Sequence, residues 1–159
     1  MKTNRKARGP RPGSIVRVEG LSYGDLDEHL GYVLRRAQLA GFDAFHRATA
    51  GIDVSPARDT ALTIVGANPG LSQSDLGAAL GTARSGAMML ADWMEKRGLV
   101  ERRSQPHDGR AWGLYLTRRG ETELRSMKRR VRAKDADFAA RLTPRECATL
   151  RRLLDKLAG

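Results

Sequence analysis

The sequence predicts a mainly α-helical chain with one small antiparallel β-hairpin, and three observations predict it. Residues 71–97 read as a short helix, a glycine turn and a longer helix. Leu99-Val100 and the alternating Trp112, Leu114 and Leu116 read as two short strands around a polar, basic tip. Amphipathic helical stretches lie on both sides of this centre. That order is a winged helix-turn-helix joined to a helical region able to pair two subunits.

Each element has its own signals. Asp25 followed by Glu28 predicts a capping box at the start of the first helix. Leu26, Leu30, Val33, Leu34, Ala37, Ala44 and Phe45 then recur at helical spacing until Gly51 stops it. About 25 such residues span roughly 38 Å, more than a compact module needs, so a partner subunit is expected to cover the apolar face. Ser55-Pro56 opens the second helix as N-cap and first helical position, and Asn68-Pro69-Gly70 ends it. Ser72 with Asp75 opens a short third helix through Leu80. Gly81 makes the turn and Thr82 caps the fourth helix, residues 83–97, with Met89, Leu90, Trp93 and Met94 packing back on Leu76, Ala79 and Leu80. Residues 104–110 read as the polar loop between the strands. Thr117 caps a fifth helix over residues 118–140, exposing Arg125, Lys128, Arg129, Arg130 and Arg132. Thr143-Pro144-Arg145-Glu146 opens the last helix with a complete capping box, and its face of Cys147, Leu150, Leu153, Leu154 and Leu157 must be covered. The expected organisation is a basic, disordered tail over 1–20, a dimerisation region over 21–54 and 118–159, and the winged helix-turn-helix over 55–117.

Charge sharpens the functional expectation. The 159 residues carry a formal net charge of +11, which suits a polyanionic partner. It is localised: residues 1–20 carry +5, 21–82 carry −3, 83–132 carry +7 and 133–159 carry +2. Positive charge therefore collects on the tail and on the segment holding the longer helix of the helix-turn-helix and the basic hairpin, a helix that fits the major groove of DNA and a hairpin that can reach the neighbouring minor groove. Cys147 is the single cysteine, which excludes an intrachain disulfide framework. No apolar run approaches the roughly 20 residues of a membrane span, and no apolar core follows the charged N-terminus, so a cytoplasmic location without membrane contact is expected. His29, His46 and His107 are scattered, and no phosphate loop, nucleophile elbow or paired-carboxylate signature is present. The expectation is no enzyme: no catalytic residue, no metal and no cofactor.

Residues 90–121, LADWMEKRGLVERRSQPHDGRAWGLYLTRRGE, carry a more specific pattern. A helix end is followed by E-K-R-G-L-V-x-R, an Asp-x-Arg wing (Asp108 and Arg110) and L-T-x-x-G. On these residues the chain resembles the MarR family of dimeric bacterial transcription regulators, over about residues 24–158. The resemblance implies a winged helix-turn-helix on a dimerisation region of first, fifth and sixth helices. It also implies, as in many members, a small-ligand site between the two regions. Gly109 stands where relatives often carry a second Arg, which implies a weaker grip by the wing. The Leu30-Gly31-Tyr32 and Leu34-Arg35-Arg36-Ala37 segments are similar to members that sense hydroxycinnamoyl-CoA esters or related aromatic acids.

The residue types fit these roles. Thr82, Arg84, Ser85, Ala87 and Met88 lie on the half of the fourth helix expected to face base edges. Arg84 suits a bidentate guanine contact, and Ala87 or Met88 suits a thymine methyl. Arg110 suits a narrow minor groove, with Asp108 orienting it. Ser72, Gln73 and Ser74 at a helix start, and Arg102 and Arg103 before the wing, suit phosphates. Arg36 or Arg58 can bind a carboxylate or phosphate, with Phe42, Phe45 and His46 against an aromatic ring. A dimer core and a local ion pair are the plainer roles for the same phenylalanines and for Arg58. The expected function is a homodimeric repressor on a pseudo-palindromic DNA operator, released by an aromatic acid or its CoA thioester. The alternative is an architectural nucleic-acid-binding protein with no sequence choice and no effector.

Overall fold

The computed structural model describes residues 17–105 and 108–159. A 3-10 turn at Gly24–Glu28 is followed by α1 (Leu30–Ala48), α2 (Pro56–Ala67), α3 (Gln73–Ala79), α4 (Arg84–Lys96), β1 (Val100–Gln105), β2 (Asp108–Leu116), α5 (Arg118–Ala139) and α6 (Pro144–Ala158). The predicted fold class is the observed one: mostly helical, with a two-stranded antiparallel sheet forming the wing. The described residues form two compact units, one of residues 17–47 with 137–159 and one of 48–136.

The central unit holds the core. Ala61, Leu62 and Val65 of α2, Leu76 of α3, and Ala91 and Met94 of α4 pack with Leu99, Val100 and Leu114 of the hairpin and Leu124 and Met127 of α5. Ser55 caps α2 by accepting from Arg58 N–H at 3.3 Å, with Pro56 in the first turn. Ser72 caps α3 by accepting from Asp75 N–H at 3.1 Å. Gly81 takes a φ of +59° in the turn to α4, a conformation that costs a residue with a Cβ, and Gly77 lies against Ala87 where the two helices meet. The strands pair from Val100↔Leu116 to Ser104↔Trp112, with an irregularity between Ser104 and Gln105. Leu71 adds an antiparallel bridge to Leu114, so the backbones of Gly70 and Gly113 touch. A Cβ on Gly113 would sit 2.8 Å from the Gly70 carbonyl oxygen.

The L-T-x-x-G motif has a mechanical basis. The Thr117 hydroxyl donates to the Gly98 carbonyl at 2.6 Å and accepts from Gly120 N–H at 3.0 Å, closing α4 and opening α5 with one side chain. Gly120 leaves room for the Leu99 carbonyl, which a Cβ there would overlap. At the start of α6, the Thr143 hydroxyl accepts from Glu146 N–H at 3.3 Å and the Glu146 carboxylate accepts from Thr143 N–H at 2.7 Å, the complete box the sequence predicts. The Thr143 N–H, and the Thr143 hydroxyl that also donates to the carboxylate at 2.8 Å, hold the Glu146 carboxyl below its ordinary range.

Four local expectations are corrected. Asp25 and Glu28 form no capping box. They fall in the 3-10 turn, whose N-cap Tyr23 makes no side-chain cap bond, and extended His29 separates it from α1. The first helix is therefore 19 residues and ends at Ala48, before Gly51. The N-cap of α4 is Ala83 rather than Thr82, and no side chain caps that helix. Met89 does not pack back on α3. It is 70% exposed, because the buried stripe of α4 runs through Ala87, Ala91 and Met94, and Met89 lies about 200° around the axis from Ala87. The wing strands reach further than the sequence suggests, so Asp108 and Arg110 lie on β2 rather than in a loop.

In the unit of residues 17–47 and 137–159, Ala44 is the one buried apolar side chain among those described. Leu30, Val33 and Phe42 of α1 and Leu150, Leu153, Leu154 and Leu157 of α6 are all exposed. These helices are amphipathic with their apolar faces uncovered.

Candidate nucleic-acid interface

The buried stripe of α4 fixes what its other side presents. With Ala87, Ala91 and Met94 turned to the core, Arg84, Ser85 and Met88 are exposed on the N-terminal half. Ala87 is 0% exposed and packs on Gly77, so its expected contact with a thymine methyl is excluded by burial. Thr82 is exposed in the turn before the helix. Ser72, Gln73, Ser74, Arg84 and Met88 share one groove of about 730 Å³ with Arg102 and Trp112 of the wing. The fold thus brings the expected α3, α4 and β1 residues together.

Two arginines of β1 have opposite surroundings. Arg102 shares a face with Leu114, turned to α4, and forms ion pairs with both Asp92 and Glu95 of that helix, its side chain 26% exposed. Arg103 lies on the other face, paired with Glu101 and 4.9 Å from the Tyr115 ring centre. The side chains of Asp108 and Arg110, and all of His107, lie outside the described part of the structure, as do residues 1–16 of the expected tail.

The residues expected to meet a small ligand are distributed over both units. Arg36 lies 3.8 Å from Asp27 and 5.8 Å from the Tyr32 ring centre. Phe42 and His46 are exposed on α1, and the His46 ring meets Phe45 edge-on at 6.0 Å. Arg58 is engaged within the central unit, 2.8 Å from Asp53 and 4.4 Å from the Trp93 ring centre. Arg97 lies 5.0 Å from the same ring centre and is also paired with Asp53. Sequence reasoning missed this arrangement, and it also missed Trp112. Asp53 and Arg58 are close in sequence, but Arg97 is 44 positions from Asp53, so only the fold brings it there.

A model of the MarR family matches residues 52–111. A putative transcriptional regulatory protein for the hcr operon of Thauera aromatica is 37% identical over 154 residues, which cover 96% of this chain and 92% of that protein. The chain belongs to the MarR family. Members of the MarR family are transcriptional regulators, not enzymes, and this chain is one of them. Among solved structures, this MarR-family chain is similar to the transcriptional repressor CouR bound to a 23-mer DNA duplex, with a TM-score of 0.82 and 33% identity over 87% of this chain and 99% of that one. It is also similar to CouR bound to p-coumaroyl-CoA, with a TM-score of 0.77 and 32% identity over 87% of this chain and 97% of that one. Among the described residues no helix is long and apolar enough to cross a membrane, and no group of His, Cys, Asp and Glu could hold a metal ion.

Proposed function

We propose that this MarR-family regulator is a homodimeric repressor that binds a pseudo-palindromic operator and is released by an aromatic acid or its CoA thioester. The observation that carries the reading is the exposed face of α4, where Arg84, Ser85 and Met88 project beside a groove shared with the wing. Ser72, Gln73, Ser74, Thr82 and Arg103 would add backbone contacts, and Arg110, oriented by Asp108, would reach the minor groove at the wing. The uncovered faces of α1 and α6 support pairing of two copies, and a two-fold dimer would set two α4 helices about 34 Å apart, one turn of duplex. The CouR complex with p-coumaroyl-CoA supports the effector class. Arg36 and Arg58 would meet the acid or phosphate, and Phe42 and His46 the ring. Release follows if the effector favours a spacing that the operator does not, by no more than its differential affinity for the two states.

Selection from a random 23-bp duplex pool, followed by competition with unselected duplex, tests the first half. A specific regulator should prefer its selected site by about 10³-fold or more, whereas equal binding to both duplexes would establish the architectural alternative. Adding p-coumaroyl-CoA or free p-coumarate to the complex tests the second half. A compound that binds the protein while leaving its operator affinity unaltered would remove the release mechanism.

A further inference from the structure

Trp112 is the feature of the wing that no role above absorbs. It stands opposite Ser104 in the hairpin, and alternation puts it on the face of Leu114 and Leu116. Leu114 is buried in the core, but Trp112 lies two residues further out, 59% exposed, where it lines the groove between wing and α4. Met88, 49% exposed, is the other large exposed apolar side chain lining that groove. Arg84 lines it as well, and the groove's two carboxylates, Asp92 and Glu95, are both paired to Arg102, so that the two arginines together balance their charge.

From this we infer that Trp112 is a DNA-contacting residue whose indole lies against the deoxyribose face of the duplex backbone while α4 occupies the major groove. The inference rests on the DNA-binding reading above and assigns the wing a contact besides Arg110. Three observations favour duplex DNA as the occupant: continuity with the exposed face of α4, the +7 charge of residues 83–132, and the likeness to CouR bound to a DNA duplex. Deoxyribose offers C–H surface between phosphates and is the same at every base pair. The contact therefore adds affinity without adding sequence preference, and it releases no counterion.

The test uses the full chain, the selected 23-bp duplex and a random 23-bp duplex. Trp112→Ala is expected to weaken binding to both by a similar factor, roughly tenfold, with an unchanged slope of log K against log salt. Trp112→Phe should recover most of the loss. The fluorescence that wild type has and Trp112→Phe lacks reports on this indole, and its quenching by acrylamide should fall when duplex is bound. Equal affinity of wild type and Trp112→Ala for both duplexes, or an indole as accessible in the complex as in the free protein, would overturn the inference while the DNA-binding reading stands. A wild type that binds neither duplex overturns both. Quenching is read on folded Trp112→Phe and wild type, so the result holds even if Trp112→Ala unfolds.

Discussion

Gly120 shows how a single atom decides a junction. The Leu99 carbonyl occupies the space of its missing Cβ and also accepts from Thr117 N–H at 3.0 Å. Backbone can yield little here, unlike a flexible side chain, so Gly120→Ala is expected to destabilise the protein by about 3 kcal/mol. Thr117→Ala, which removes the cap of α5 and the hydroxyl's bond to the Gly98 carbonyl, should cost about 2 kcal/mol. Denaturant melts of the two variants check both the size and the order. Arg84 belongs to a different case, an exposed side chain with nothing structural to lose. Arg84→Ala should leave the melt unchanged, cost roughly 1–3 kcal/mol of binding to the selected duplex, and relax preference at one base pair. Titration of that duplex and its single-base variants measures this.

The ion pairs from Arg102 to Asp92 and Glu95 join β1 to α4 and partly neutralise two carboxylates beside the proposed DNA path. If Arg102 acts by that neutralisation, Arg102→Ala weakens DNA binding, and adding Asp92→Asn with Glu95→Gln restores it. A direct phosphate contact would not be rescued. Partial exposure keeps the effect of Arg102→Ala on stability to about 1 kcal/mol. Asp59 of α2 supplies a pH dependence. Burial raises its carboxyl above the ordinary 3.8, and the Lys128 charge opposes that rise. The folded state therefore holds a proton that the unfolded state has lost, and stability falls as pH rises from about 3.8 through the raised value. Asp59→Asn is expected to flatten that fall, as thermal melts across the acid range would show.

Among the described residues, the unit of residues 17–47 and 137–159 buries almost no apolar side chain of its own, whereas the central unit has a continuous core. Helices this amphipathic need their faces covered, and a second copy would do so by symmetry. Leu153→Glu on α6 places a charge in that proposed interface twice per dimer. It should raise the dimer dissociation constant by roughly two orders of magnitude or more. Sedimentation at several concentrations checks this, and operator binding should fall in parallel.

Local chemistry made most of the fold legible before any coordinates. Ser55-Pro56, Ser72 with Asp75, and Thr143 with Glu146 each satisfy amides within three residues, so their meaning survives any packing. Gly81 marks the turn after α3 through its own positive φ, which is likewise a local choice. The misread places are those where distant parts choose among local options. Ala87, not Met89, faces inward because Gly77 admits it closely, and Arg102 turns to α4 because Asp92 and Glu95 stand across from it. Arg58 and Arg97 meet at Trp93 only once the chain has folded. Hydrogen bonds within a turn are decided by neighbours in sequence, whereas burial and long-range charge pairing are decided by neighbours in space.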